Sequence, residues 1–171
     1  MTRDERPWEL LDPAATITEI LEQSGAALDQ TVVAHVDIAT QRVTGTRTVT
    51  TPRPVRYEGS DEGEHARHRL SEQVREIAED LGRQRQRNLD RPGWEVPDSV
   101  LITLVCRTGR VVTTAREMQW ARAWLYSNHF MSSFNGEVYI VTPDGWAASS
   151  GQSYGVSPRV GVTPRPALRA V

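Results

Sequence analysis

The chain has 171 residues, a net charge of −2, one cysteine and no lysine, all 20 of its basic residues being arginine. That length suits one core, in which folding can bury roughly 70% of the surface the open chain exposes. A disulfide scaffold is excluded. So are Schiff-base enzymes, Walker A nucleotide sites and kinase-type lysines, and the charge balance argues against general adhesion to nucleic acid.

Met1 to Arg6 carries charge of both signs and no apolar run follows it, so no signal peptide is visible. No apolar stretch approaches the roughly 20 residues of a membrane span, and a cytoplasmic protein is expected. Residues 1–12 read as a lead-in, 13–149 as a single domain and 150–171 as a flexible tail.

Asp12-Pro13 opens the first helix, because the carboxylate can cap a free N–H and proline needs none at the first position. Ile17, Leu21, Ser24 and Leu28 share a side, and Gly25 is a stop, which predicts a helix over 13–26. Thr31 to Ala39 alternates Val32, Ala34, Val36 and Ile38 against Val33, His35, Asp37 and Ala39. Arg42 to Thr51 alternates Val43, Gly45, Arg47 and Val49 against Thr44, Thr46, Thr48 and Thr50. The two runs read as a hairpin with the threonine row facing solvent, ended by Pro52 and Pro54.

A second helix is predicted over 62–89 on a thin stripe of Ala66, Leu70, Val74, Ile77 and Leu81. Acidic residues lie at its start and Arg83, Arg85 and Arg87 at its end, in the order the helix dipole favours. Val100 to Cys106 is apolar on both faces and predicts a central strand, with Cys106 as an inert core thiol. Arg107 to Arg110 reads as a turn with Gly109 in the left-handed position, and Val111 to Thr113 as a short return strand. Thr114 and Glu117 have capping-box spacing and open a third helix, which the pattern carries to Asn135 with Gly136 as its stop. Glu137 to Thr142, the Pro143-Asp144-Gly145 turn and Trp146 to Ser149 form a last hairpin. The sum is an α+β single domain, a mostly antiparallel sheet of five to six strands with three helices in the order α-ββ-α-ββ-α-ββ. From Ser150 the chain is rich in Gly, Ser, Pro and Arg and is expected to be disordered or extended.

Candidate chemistry gathers in several places. On the third helix Trp120, Trp124, Ser127, Met131 and Phe134 form a core stripe, and Arg122, Tyr126, His129 and Ser133 lie opposite as a candidate polar binding site. His35 and Asp37 share one side of a strand and could orient an imidazole. The same pair could offer two metal ligands, but no third can be named, so no metal or other cofactor is expected; His65, His68, Glu64 and Glu72 form another loose group, which reads as a charged, exposed first turn of a helix. Arg83 and Arg87 share a helix face and are a weak nucleic-acid candidate. Trp8, Trp94 and Trp146, near element ends, could line a groove.

No recognisable catalytic motif occurs. The leading expectation is a non-enzymatic binding or regulatory domain that pairs with itself as a homodimer or docks a protein partner. A small hydrolase for an anionic substrate, with a His general base and Arg charge stabilisation, is the alternative. Weak nucleic-acid binding is third, and no membrane role is expected.

Overall fold

The computed structural model of the chain describes residues 9–51, 61–88, 97–127 and 133–161. In order they form α1 (Pro13–Ser24), β1 (Gln30–Asp37), β2 (Val43–Thr50), α2 (Asp61–Asn88), β3 (Ser99–Cys106), α3 (Ala115–Tyr126), β4 (Ser133–Thr142), β5 (Gly145–Ala148) and β6 (Tyr154–Gly155). The fold is α+β, with one six-stranded sheet ordered β2-β1-β3-β4-β5-β6. Every pair is antiparallel except β3–β4, whose parallel pairing is made possible by the α3 crossover.

β3 is buried along its whole length because it lies between β1 and β4 and meets side chains on both faces. On one face Val100, Ile102 and Leu104 join Ile17 and Ile20 of α1. On the other, Leu101 and Val105 join Leu70, Val74 and Leu81 of α2 and Trp120 and Trp124 of α3. The thin stripe of α2 is therefore enough to seat it on the sheet, since residues at this spacing stay on one side of a helix. α1 begins and ends as its sequence dictates. Asp12 Oδ1 accepts from the Ala15 N–H at 3.0 Å, and Gly25 closes the helix at φ 62°.

The return strand expected over Val111–Thr113 does not form. The Arg107 guanidinium turns inward and draws the loop carbonyls onto itself, with Nη1 donating to Thr108 O (3.0 Å) and Arg110 O (3.1 Å) and Nη2 to Val112 O (2.6 Å). The loop is thereby curled around the guanidinium, with Val112 N also donating to Arg110 O at 2.9 Å, and does not extend alongside a neighbouring strand. Gly109 does take the left-handed position, at φ 95°.

α3 starts at the expected capping box but ends at Tyr126, not Asn135. Its last turn is closed by Ser127, whose Oγ donates to Trp124 O at 3.0 Å, and Asn135 Nδ2 donates to the same carbonyl at 3.4 Å. From Ser133 the chain belongs to β4, because pairing with buried β3 outweighs a helical spacing that Phe134 matches by coincidence. Phe134 packs on the α1 side of the sheet. Met131 and His129 lie outside the described residues. Gly136 stops no helix. It sits in β4 at a register shift facing Ile102, where a Cβ would come within 2.6 Å of the Ile102 and Val100 side chains.

Two further expectations change. A register shift places Thr44 outside the β1–β2 pairing, so Val43 opposes Val36 while Gly45 opposes His35. The alternation inverts there: Val43 shares the α1 side with Thr46 and Thr48, which are half-buried rather than solvated. The segment from Ser150 is not a free tail over its first part. Tyr154–Gly155 adds β6 to the sheet and Val160 is buried in the α1-side core. Residues 162–171 lie outside the described part.

Candidate functional site

One end of the α2/α3 face carries a chain of polar side chains, three of them buried and the fourth, Thr44, exposed. It arises where β1 finishes and β3 and β4 begin, so strand pairing brings His35, Ser99 and Ser133 together from distant parts of the sequence. Ser99 Oγ lies 2.7 Å from Ser133 Oγ, Ser133 Oγ lies 2.9 Å from His35 Nε2, and His35 Nδ1 lies 2.7 Å from Thr44 Oγ1. Thr44 Oγ1 also donates its proton to the His35 carbonyl at 3.0 Å. Having spent its one proton, Thr44 must accept from His35 Nδ1–H. In the neutral ring Nε2 then accepts from the Ser133 hydroxyl, which in turn accepts from Ser99. The bulge that displaces Thr44 is what aims its hydroxyl at the ring. His35 is 2% exposed, Ser133 is buried and Ser99 fully so. Two candidates named separately from the sequence, His35 and Ser133, thus meet. Ser133 reaches this contact from β4, however, and not from a helix face.

The other candidates disperse. Asp37 Oδ1 caps the turn after β1, accepting from Thr40 N (2.8 Å) and Thr40 Oγ1 (2.9 Å). Tyr126 is exposed and Arg122 half-buried on the outer side of α3. Arg83 lies 3.7 Å from Glu79, and the Arg87 side chain, like His129, falls outside the described residues. His68 pairs with Glu72 at 3.2 Å on the solvent side of α2. Among the described residues no group of three or more His, Cys, Asp or Glu could hold a metal ion. Trp146, expected near a groove, is instead buried edge-on against Tyr139, with its Nε1 donating to Ser157 O at 2.7 Å. Trp8 and Trp94 lie outside the described residues. Burial pushes the Cys106 thiol up to about 12, leaving it protonated and inert as its strand position implied.

The sequence did not disclose the buried ion pair beside α3. Arg107 Nε donates to Glu117 Oε1 at 2.7 Å, while Glu117 Oε2 accepts from both Thr114 N and Thr114 Oγ1 at 2.6 Å. Burial raises the Glu117 carboxyl, but the bonds from Arg107 and Thr114 outweigh it and hold the group below its ordinary range. The capping-box spacing gave half of this arrangement. Its other half depends on where the Arg107 side chain turns, which no local spacing encodes.

α3 is apolar on two opposite sides. Trp120, Ala123 and Trp124 face the sheet, whereas Met118 (42% exposed), Leu125 (76%) and Tyr126 (61%) face outward with Arg122 among them. At 3.6 residues per turn these four outer positions span about 100° of arc. Among the described residues two clefts open on the surface. One of about 650 Å³ runs between α1 and the Thr40–Gln41 turn. Its carboxylates are largely engaged, Asp12 as a cap and Glu19 with Arg42 at 3.1 Å. The other, of about 390 Å³, lies on the α1 side of the sheet beside β4 and β5. Neither includes His35, Thr44, Ser99 or Ser133.

No family model matches the chain, and comparison with curated proteins and with solved structures finds no significant match.

Proposed function

We propose that the protein is a non-enzymatic binding domain that associates with a second copy of itself through the outer stripe of α3. The supporting observation is the two-sided character of that helix. A surface helix ordinarily carries one apolar side. α3 already buries one against β3, and still presents Met118, Leu125 and Tyr126 to solvent. Methionine and tyrosine at such spacing suit docking of another helix, and an arginine between them supplies a polar contact. The stripe is also nearly self-complementary. An antiparallel two-fold centred near Ala121 and Arg122 would bring Met118 of one protomer onto Leu125 of its partner, as an isologous interface requires.

Sedimentation equilibrium with the full chain tests this. A dimer at about 100 μM that becomes monomeric on Leu125→Asp, with unchanged circular dichroism and thermal midpoint, is the expected result. A wild-type chain that stays monomeric at that concentration would remove the proposal.

A hydrolase is the second reading, favoured by one contact. A serine hydroxyl directed at imidazole Nε2, with Nδ1–H held by another side chain, is the arrangement of an activated nucleophile. Its burial favours a core polar network instead. A fluorophosphonate probe separates the two. Labelling of the wild type that disappears in Ser133→Ala would establish the enzyme reading, and an unlabelled chain would dismiss it.

A further inference from the structure

The cleft of about 390 Å³ on the α1 side of the sheet is of the size that small-molecule sites occupy. Its floor is apolar where α1 leaves the sheet uncovered, with Ile102 of β3, Tyr139 of β4 and Ala148 of β5. Gly136 keeps that floor open, since the register shift there admits no side chain. At the rim stand two carboxylates from distant parts of the chain, Glu9 just before α1 and Glu137 on β4.

One of the two is held firmly. Glu137 Oε1 accepts from Val138 N (3.1 Å), Ser149 Oγ (2.6 Å) and Ser150 N (3.3 Å), which fixes the carboxylate in place. Among the described residues its second oxygen takes no hydrogen bond, and no arginine or histidine lies within 4.0 Å of Glu137 or Glu9. Both rim charges act on the same buried atom. Burial first, then Glu137 and Glu9, push the Tyr139 phenol up to about 12 against an opposing hydrogen bond from Ser153. The phenol therefore stays protonated and adds no third negative charge. A negative rim over an apolar floor, anchored at Glu137 and with no counter-charge among the described residues, is complementary to a positively charged group on an apolar body.

We propose that this cleft binds a small organic cation, an amine or guanidinium carried on a flat apolar body. Glu9 and Glu137 receive the charge, while Ile102, Tyr139 and Ala148 receive the body. This site lies on the sheet face opposite α3 and does not depend on the self-association reading.

Isothermal titration calorimetry on the full chain tests it with three probes of matched shape: 2-phenylethylamine, the neutral 2-phenylethanol and the anionic phenylacetate. The amine should bind in the micromolar to millimolar range, about tenfold or more tighter than the alcohol, and phenylacetate should not bind. Added salt should weaken the amine and leave the alcohol unchanged. Glu137→Gln should weaken the amine about tenfold, and Glu9→Gln, at an exposed side chain, by several-fold. Leu125→Asp should leave binding unchanged. Equal affinity for amine and alcohol, no heat from the amine at about 10 mM, or full amine affinity in both glutamine variants would each overturn the assignment.

Discussion

Glu117 and Glu137 are two carboxylates beside the same sheet, and the chain treats them in opposite ways. Glu117 is fully buried and every one of its oxygens is answered from within, by Arg107 and by Thr114. Glu137 is half-buried and fixed through one oxygen only, with no ion-pair partner among the described residues and a cleft in front of it. The comparison separates two uses of buried charge. A charge completed by its own chain specifies a loop, here the fold of residues 107–114 around a guanidinium. A charge held rigid but left half-answered costs some stability and leaves an interaction for something outside the chain.

The largest expected effect is on the closed side of the comparison. Glu117→Ala should destabilise the protein by about 3–5 kcal/mol in urea unfolding, because it strands a buried guanidinium and removes a helix cap together. A loss below about 1 kcal/mol would mean that water reaches Arg107 and the pair is not closed. The same carboxyl gives a pH signature. Its folded pKa is depressed, so its contribution is full above the ordinary glutamate value of about 4.3 and is lost as pH falls through the folded value. Wild type should therefore lose more stability than Glu117→Gln on acidification below about pH 4.3, and parallel curves would contradict the assignment.

A smaller effect is expected at His35, which is closed but uncharged in its neutral form. His35→Ala empties a fully buried site and removes one of the two hydrogen bonds of the buried Ser133 hydroxyl, and should cost about 1–3 kcal/mol, readable as a lower thermal midpoint. The smallest effect belongs to the open side. Glu9→Gln should leave the midpoint unchanged, or raise it slightly by relieving repulsion with Glu137. A marked fall would show that Glu9 completes the fold rather than the cleft.

Much of the architecture was legible locally. Helix starts at Asp12 and Thr114 are one-turn chemistry, in which a side-chain oxygen meets a backbone N–H three residues on. β3 announced itself by being apolar on both faces, and the stripe of α2 by its spacing. The errors share one cause. Val111–Thr113, the far end of α3 and the position of Thr44 each depended on a partner remote in sequence: an inward guanidinium, a buried neighbouring strand, a shifted register. The candidate site divides in the same way. His35 and Ser133 were recognisable as reactive residue types, but 98 residues separate them and only pairing of β1, β3 and β4 brings them within 2.9 Å.

By itself, the sequence determined the element types, the two apolar sides of β3 and the absence of lysine and disulfide chemistry, because these rest on composition and on periods of two to four residues. The tertiary structure alone decided which charges are answered and which are left facing a cleft. Glu117, Glu137 and Glu9 are the same residue type, and what distinguishes them is the distance to a guanidinium that the folded backbone either supplies or withholds.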